Sequence, residues 1–449
     1  MDDKALDLLN RLDRIPVWPY SYWILITVGA GFFFAFFDII TIGLALPVLS
    51  KQFQISTETA LWAISSGLIG YIIGAFLDSR ISDLLGRRLA LILSMLFFSV
   101  GSILSATSPN IEWLIVWRFI IGMGIGSEIA NVTTYIAELS PASCRGRFTA
   151  LAITIGFLGF SVVPFVGLAL IPHFNWGWRI LFACGGLGGF AILFSRRFIP
   201  NTIRWYISTH QYQQAETELL KAEQIACKRF KRSLPTPSSI ASPSPVKMNL
   251  RKLFHPPYLL RLIFFMTLWL IYYLGNYGWL TLNTNLFLMK GFNLTHSLLL
   301  VAINSLGFIV GAVLAIFLSD IFERKYLISL IALLWTISLL LIAWFMSMTI
   351  ILIFGFVSTA TIAFFIPLLY TYTAENFPTP CRATSVAITD GIGHFSAAFC
   401  GQIILGVYSL FKASGYGVAM AFTTMALTGL LTALLVLLGK RMTGKQLSQ

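Results

Sequence analysis

Twelve apolar runs, each long enough to cross a bilayer, constrain this chain more than any other feature. A crossing helix needs about 20 predominantly apolar residues. Runs of that kind lie near 22–49, 59–78, 89–107, 112–136, 148–171 and 178–196, then near 259–287, 298–319, 326–346, 349–373, 384–409 and 416–439. In lipid every backbone polar group must find its partner inside the protein, so these runs predict helices. The expected fold class is an all-α membrane protein with twelve transmembrane helices in two six-helix bundles. Composition agrees, with 57% of residues hydrophobic and 11% charged, against about 25% charged in a soluble domain.

Every join is short except one. Residues 1–21 precede the runs, 22–197 hold the first six, 198–258 form a linker, 259–439 hold the second six, and 440–449 form a tail. Within the linker, Ala215, Leu219, Ala222 and Ala226 recur at helical spacing between Gln211 and Arg232, which predicts an amphipathic helix. From Ser233 to Val246 four prolines stand among five serines, and such a stretch buries too little apolar surface to order itself. The N-terminus leads straight into a full-length run, so no signal peptide is expected.

The formal charge is +13. Its basic residues sit between apolar blocks and form no stripe on a soluble domain, so no nucleic-acid partner is expected. With both termini cytoplasmic, about 26 of the 31 Lys and Arg fall inside and only Lys51, Arg179, Lys290 and Lys412 outside, as the positive-inside rule requires. This predicts a multi-pass protein of a bacterial inner or plasma membrane. The five cysteines, at 144, 184, 227, 381 and 400, have no metal-ligand spacing. No phosphate-cradling glycine loop or hydrolytic constellation stands out, so neither cofactor, metal nor enzymatic activity is expected.

The chain also repeats itself. Asp83-Leu-Leu-Gly-Arg87-Arg88 recurs as Asp320-Ile-Phe-Glu-Arg324-Lys325, and the stretch from Tyr135 through Glu138 to Arg145 recurs from Tyr372 through Glu375 to Arg382. Both copies lie 237 residues on (320 less 83, and 375 less 138), and Gly70 and Gly74 map to Gly307 and Gly311 at the same offset. A duplicated six-helix unit places a substrate site between the halves near the midplane.

These residues carry a resemblance. Asp83 to Arg88 resembles the loop motif of the major facilitator superfamily, and Arg118-Phe-Ile-Ile-Gly122-Met-Gly124-Ile-Gly126 is similar to its arginine followed by spaced glycines. Glu138 to Arg147 and Pro200 to Trp205 resemble the sugar-porter pattern. Arg11 to Pro16, Gly31 to Asp38 and Tyr370 to Thr384 look closer to metabolite:proton symporters of the nicotinate, aromatic-acid and synaptic-vesicle-2-related group. The chain departs at Ala35, where that group usually has a first acid, at Glu323 for glycine, and at Asn201 and Ile203 for Glu and Pro.

The resemblance implies a secondary transporter moving a small hydrophilic metabolite (organic acid, sugar or polyol, or vitamin-like) by proton symport through alternating access. A proton-driven exporter or facilitator, and a non-transporting membrane sensor, are the alternatives. Expected partners are that substrate, protons and lipid, and the expected state is a monomer.

Ionisable groups inside the bilayer are costly and read as functional by default. Asp38, Arg118, Glu128, Asp390 and His394 are such groups, and their partners at the 237 offset are Gly275, Gly355, Phe365, Ile153 and Phe157. Asp38 and Arg118 lie at similar depths, about 16 and 10 Å from the outer end at 1.5 Å per residue. The resemblance to sugar porters makes that pair a proton switch. Glu128, ten residues beyond Arg118, falls within about 80° of its face and is expected to join proton coupling or bind substrate in the same cavity. Asp390 and His394, four apart, share a face and are expected to bind substrate.

The first span of the second half supplies Tyr273, Asn276, Tyr277, Trp279 and Asn283 as substrate contacts, with Asn304 on the next; interfacial anchoring is the alternative for its aromatics. At the cytoplasmic ends Asp83, Arg87, Arg88, Glu138 and Arg145, repeated as Asp320, Arg324, Glu375 and Arg382, are expected to form an ion-pair latch favouring the outward-facing state. Positive-inside anchoring is the plainer account, but it needs no acids.

Overall fold

The computed structural model describes residues 3–141, 145–194, 199–236, 253–319, 321–378 and 381–442. Among them every regular element is helical. The first half contains α2 (Tyr22–Gln52), α3 (Thr57–Leu85), α4 (Arg87–Ala106), α5 (Ile111–Leu139), α6 (Arg145–Leu170) and α7 (Gly177–Phe194), preceded by a short α1 (Asp3–Asp13). The linker forms α8 (Ile203–Ser208) and α9 (Tyr212–Phe230). The second half contains α10 (Tyr258–Lys290), α11 (Leu294–Ser305) with α12 (Gly307–Leu318), α13 (Arg324–Phe345), α14 (Met348–Glu375), α15 (Arg382–Ala398) with α16 (Cys400–Phe411), and α17 (Gly417–Val436).

Eleven of these segments, counting α11–α12 and α15–α16 as one each, are long and apolar enough to cross a membrane. The 18-residue α7 would span about 27 Å, close to the thickness of the hydrocarbon core. Helix starts follow local chemistry: the side chains of Ser56, Asn110, Asn293 and Ser347 accept from backbone N–H groups three residues on, which satisfies donors that the first turn leaves free. The two breaks inside spans are tightened turns, where Leu306 N–H bonds Ile303 O and Phe399 N–H bonds Ser396 O.

The duplication is visible in the packing. In the first half α3 packs on α5, α2 on α6 and α4 on α7; in the second half α12 packs on α14, α10 on α15 and α13 on α17. Even the closest backbone approaches recur. A Cβ on Gly70 would meet Phe119 O at 2.1 Å and one on Gly74 would meet Met123 O at 2.0 Å. The equivalents Gly307 and Gly311 would meet Phe356 O at 2.5 Å and Ala360 O at 2.0 Å. Small residues here let two backbones touch, the usual source of helix association in lipid.

The halves meet through α2 with α10, α6 with α11 and α12, and α3 with α15 and α16. Gly43 lies against the Thr281 backbone, Ser161 and Ser305 each donate a hydroxyl to the other's carbonyl at 2.9 and 3.0 Å, and Gln402 Nε2 donates to Ser65 Oγ at 2.8 Å. These contacts run from the midplane toward the end that carries Gln52 and Lys290, away from Arg87 and Arg324.

A second, smaller core lies beneath the first half. α1 buries Ala5, Leu8 and Leu12, and α9 buries Ala215, Leu219, Ala222 and Ala226, against α8 and the ends of α2 and α5. Arg11 and Arg14 both reach Glu223, at 2.7 and 2.6 Å, and Arg204 reaches Asp13 at 2.6 Å. Burial pushes the Glu223 carboxyl up, yet the two guanidiniums outweigh this and hold it below its ordinary value. Residues 3–21 and 199–236 thus form one folded plate; the Ser/Pro stretch from 237 on lies outside the described residues.

Candidate functional site

At the midplane, Asp38 on α2 and Arg118 on α5 are both buried. Arg118 Nη1 lies 3.2 Å from Asp38 Oδ2. Ser102 Oγ donates to Asp38 Oδ1 at 2.9 Å, and Thr41 Oγ1 donates to the Asp38 carbonyl at 2.6 Å. The guanidinium also sits 5.9 Å from the Phe182 ring centroid. Gly67 faces it from α3, where a Cβ would stand in ordinary contact with Arg118 Nη2 at 3.8 Å and with its carbonyl at 3.4 Å. A buried charge is tolerated only when paired and hydrogen-bonded, and this one is both.

Arg118 lines a cavity of about 30 Å³ between the halves, walled by Ile39, Ile42, Leu68 and Ile121, with Tyr71, Tyr277 and Thr281 as its other polar edges. That volume holds about two waters, so the halves are drawn closely around it.

Across the cavity lies a second polar cluster. Tyr273 and Tyr370 donate hydroxyls to Asp390 Oδ1 at 3.0 and 2.5 Å. His394 Nδ1 lies 3.4 Å from Asp390 Oδ2 and 3.0 Å from the Asp390 carbonyl. Its Nε2 shares a hydrogen bond with Tyr277 Oη at 3.0 Å. On the other ring face Tyr71, from the first half, stacks with centroids 3.8 Å apart and planes 15° from parallel. Tyr71 and Tyr277 therefore connect His394 to the cavity that Arg118 lines.

Other expected site residues stand elsewhere. Glu128 does not share the Arg118 cavity; it turns into the first half, where Ser94 Oγ donates to it at 2.5 Å and its Oε1 faces Gly31 on α2. Trp279 packs within the second half, donating to Thr359 Oγ1 at 3.2 Å and lying against Phe422, so it contributes no wall to the cavity. Asn283 Oδ1 accepts from the backbone N–H of Thr284. Asn276 and Asn304 are buried with both amide atoms unpartnered among the described residues, and Asn304 abuts Gly355.

The terminal charges pair inside each half. Arg87 reaches Glu138 at 3.0 Å and Asp83 at 2.6 Å, and Arg324 reaches Glu375 at 3.2 Å; 87 and 138 map onto 324 and 375 at the repeat offset. Both pairs join neighbouring helices of one half, α4 to α5 and α13 to α14, and do not bridge the halves as a latch between separating helices would. Thr202 Oγ1 adds a hydrogen bond to Glu138 at 2.6 Å, Asn201 Oδ1 accepts from Arg88 N–H, and Arg382 Nε caps α14 at the Ala374 carbonyl. Asp320 and the Arg145 side chain lie outside the described residues.

Sequence reasoning missed Tyr71, Tyr370, Ser102 and Ser94, and a buried Asp78 that accepts from Asn131 Nδ2 at 2.6 Å. The serines of α4 carried a signal, since Ser94, Ser102 and Ser105 fall on one buried stripe. The tyrosines carried none beyond their position.

Two duplicated six-helix halves closing on a cavity lined by Arg118, which pairs with the buried Asp38, define a membrane transporter. The chain belongs to the Major Facilitator Superfamily, whose family model matches residues 28–400. It is 26% identical over 450 residues to a niacin transporter of Acinetobacter baylyi, covering 98% of this chain and 99% of the relative. It is 27% identical over 463 residues to a 4-hydroxybenzoate transporter of Pseudomonas aeruginosa, covering 98% of each. Its fold matches the inward open conformation of the xylose transporter from E. coli with a TM-score of 0.74 at 21% identity, over 95% of this chain and 98% of that one.

Proposed function

We propose that this protein imports a small organic acid, of the vitamin-like or aromatic-acid kind, together with protons by alternating access. The observation that carries this reading is that Arg118, on the wall of the cavity between the halves, pairs with the buried Asp38 behind it. Protonation of Asp38 cancels its attraction for the guanidinium, which becomes free to meet a substrate carboxylate; loss of the proton restores the pair and expels the anion. The cavity as it stands holds about two waters; once the halves part and widen it, its apolar walls and tyrosine edges suit a flat ring. The names of the niacin and 4-hydroxybenzoate transporters support the substrate class.

In this reading the termini and the Arg87 and Arg324 ends are cytoplasmic, and the closer contacts at the other end make this arrangement inward-facing. The Arg87–Glu138 and Arg324–Glu375 pairs keep the inner end of each half rigid while the halves rock.

The test is uptake of radiolabelled nicotinate and 4-hydroxybenzoate by proteoliposomes under an imposed pH gradient. Wild type should accumulate one or both, and Asp38→Asn should lose accumulation while keeping exchange. Accumulation by Asp38→Asn equal to wild type would overturn the proton-switch assignment, and gradient-driven efflux in place of uptake would make the protein an exporter.

A further inference from the structure

The cluster around Asp390 does more than line a cavity. Its carboxylate has one basic neighbour among the described residues, His394, and every other group facing the two is a tyrosine: Tyr71 from α3, Tyr273 and Tyr277 from α10, and Tyr370 from α14. Arg118 stands beyond Tyr71 and Tyr277, on the cavity they share, already paired with Asp38.

The donor count is informative. An ionised carboxylate only accepts, and Asp390 has two tyrosine hydroxyls on Oδ1 and the imidazole beside Oδ2. His394 Nδ1 faces only acceptors, the Asp390 carbonyl and carboxylate, and so carries a proton in either charge state, while Nε2 shares a hydrogen bond with Tyr277 Oη, which can donate to a neutral ring or accept from a charged one. Every contact is satisfied both with a neutral ring that accepts at Nε2 from Tyr277 and with an imidazolium that donates to it, so one proton can be gained or lost at Nε2 without breaking the cluster, the charged state pairing imidazolium with carboxylate. The Tyr71 face stacked on that ring then adds a cation–π attraction between the halves.

The repeat supplies an internal control. At the 237 offset, Tyr71, Tyr273, Tyr277, Asp390 and His394 correspond to Phe308, Phe36, Ile40, Ile153 and Phe157. Phe308 and Phe157 also form a contact between the halves, with planes 20° apart and centroids at 6.1 Å, and Phe36 packs on Phe157. The same ring contact is thus built once entirely from hydrocarbon, so packing does not need the histidine, the acid or the hydroxyls. Histidine is the side chain whose charge changes between about pH 5 and 8.

We infer that Asp390 and His394 form a second proton-binding site, in the second half, which holds one exchangeable proton as a carboxylate–imidazolium pair and ties its occupancy to the contact between halves through Tyr71. The inference rests on the proton-coupled reading but requires neither titration of Asp38 nor a known substrate, so its failure can be told apart from failure of that reading.

Two measurements test it on the full chain in liposomes. In solid-state NMR of the ¹⁵N-histidine-labelled protein, the signal absent from His394→Gln should be an imidazolium at pH 6 and a neutral ring at pH 9, and Asp390→Asn should make it neutral at both. A ring already neutral at pH 6, or still charged at pH 9, overturns the site. In the second, spin labels at Leu84 and Leu438, both exposed near the Arg87 and Arg324 end of opposite halves, report the distance between halves in an Asp38→Asn background that silences the first switch. The distance distribution should change between pH 6 and 9, and His394→Gln and Tyr71→Leu should each abolish the change. A distribution that ignores pH, or one whose response survives His394→Gln, overturns the coupling.

Discussion

Gly122→Ala adds one methyl group where two helix backbones already touch. Its Cβ would stand 1.9 Å from the Gly67 carbonyl oxygen, about 1.5 Å inside the 3.4 Å at which ordinary contact begins. The obstacle is backbone, and it recurs along the seam, since Gly126 faces Tyr71 O at 2.1 Å and Gly70 faces Phe119 O at 2.1 Å. No side chain can swing aside, so α3 and α5 must part. Overpacking of this kind costs about 1–3 kcal/mol and sometimes more. Arg118 lies one turn before Gly122, 3.2 Å from Asp38, and a shift of that size would carry the pair past salt-bridge distance and move Tyr71 away from His394. Gly122→Ala should therefore lose about 1–3 kcal/mol of stability and its gradient-driven uptake together. Gly311→Ala, whose Cβ would meet Ala360 O at 2.0 Å, should lose similar stability with the Asp38–Arg118 pair intact. Gly406→Ala, with open space around it, should lose neither. Denaturant titration in detergent and proteoliposome uptake read both quantities. If Gly122→Ala matches Gly406→Ala in stability, the argument from close backbone approach is wrong.

Three further outcomes follow from the geometry. Glu138→Gln and Glu375→Gln each remove the anion from a half-buried pair and should destabilise by similar amounts, about 1.5–3 kcal/mol each, read by the same titration; a large inequality would argue against equivalent roles. Glu223 is held below its ordinary 4.5 by Arg11 and Arg14, so its contribution is fully present above that value and is lost as pH falls through the lower, paired value. Protection of the α1 amides, their exchange taken relative to the intrinsic rate at each pH, should therefore fall on acidification below about pH 4.5, and equal protection at pH 3 and 7 would contradict the pairing. Ser161→Ala removes one of the two reciprocal bonds to Ser305 and should weaken contact between the halves by about 1 kcal/mol, seen as a several-fold population change in the Leu84–Leu438 distance distribution.

Much of the scaffold was legible because lipid leaves few options. Length and hydropathy located the spans, and the shared offset of the Arg87 and Arg324 loops located the repeat. Depth arithmetic placed Asp38 beside Arg118 because rise per residue is fixed whatever surrounds the helix. Direction was harder. A helical wheel turns Glu128 to within about 80° of Arg118, yet cannot say that Ser94 and Gly31 will stand on that side and enclose it inside the first half. Trp279 failed for the same reason, its indole N–H claimed by Thr359. The plate of α1 and α9 was half visible: Ala215 to Ala226 showed a stripe, while Ala5, Leu8 and Leu12 carried the same pattern without a visible partner, and the charges joining them lie some 200 residues apart in sequence.

The position of the chemistry follows from how the duplicated slot diverged. In the first half Gly67 on α3 faces Arg118 on α5; at the repeat offset these become Asn304 on α11 and Gly355 on α14, and there Asn304 abuts Gly355. One slot between equivalent helices is filled from opposite sides, by a cation in one half and an amide in the other; a Cβ on Gly355 would meet Asn304 Nδ2 at 2.2 Å, whereas one on Gly67 would make only ordinary contact with Arg118. The neighbouring seam, Gly70 and Gly74 against Gly307 and Gly311, kept its small residues in both halves. Close packing therefore constrains the seam in each copy, whereas the slot carries different side chains in the two. A half that needs no charge to fold can place Arg118 there only if Asp38, Ser102 and Thr41 arrive with it to satisfy it, because a lone buried cation costs several kcal/mol. That requirement explains why the polar residues of this site form a cluster in one copy and leave none of its members at the matching positions of the other.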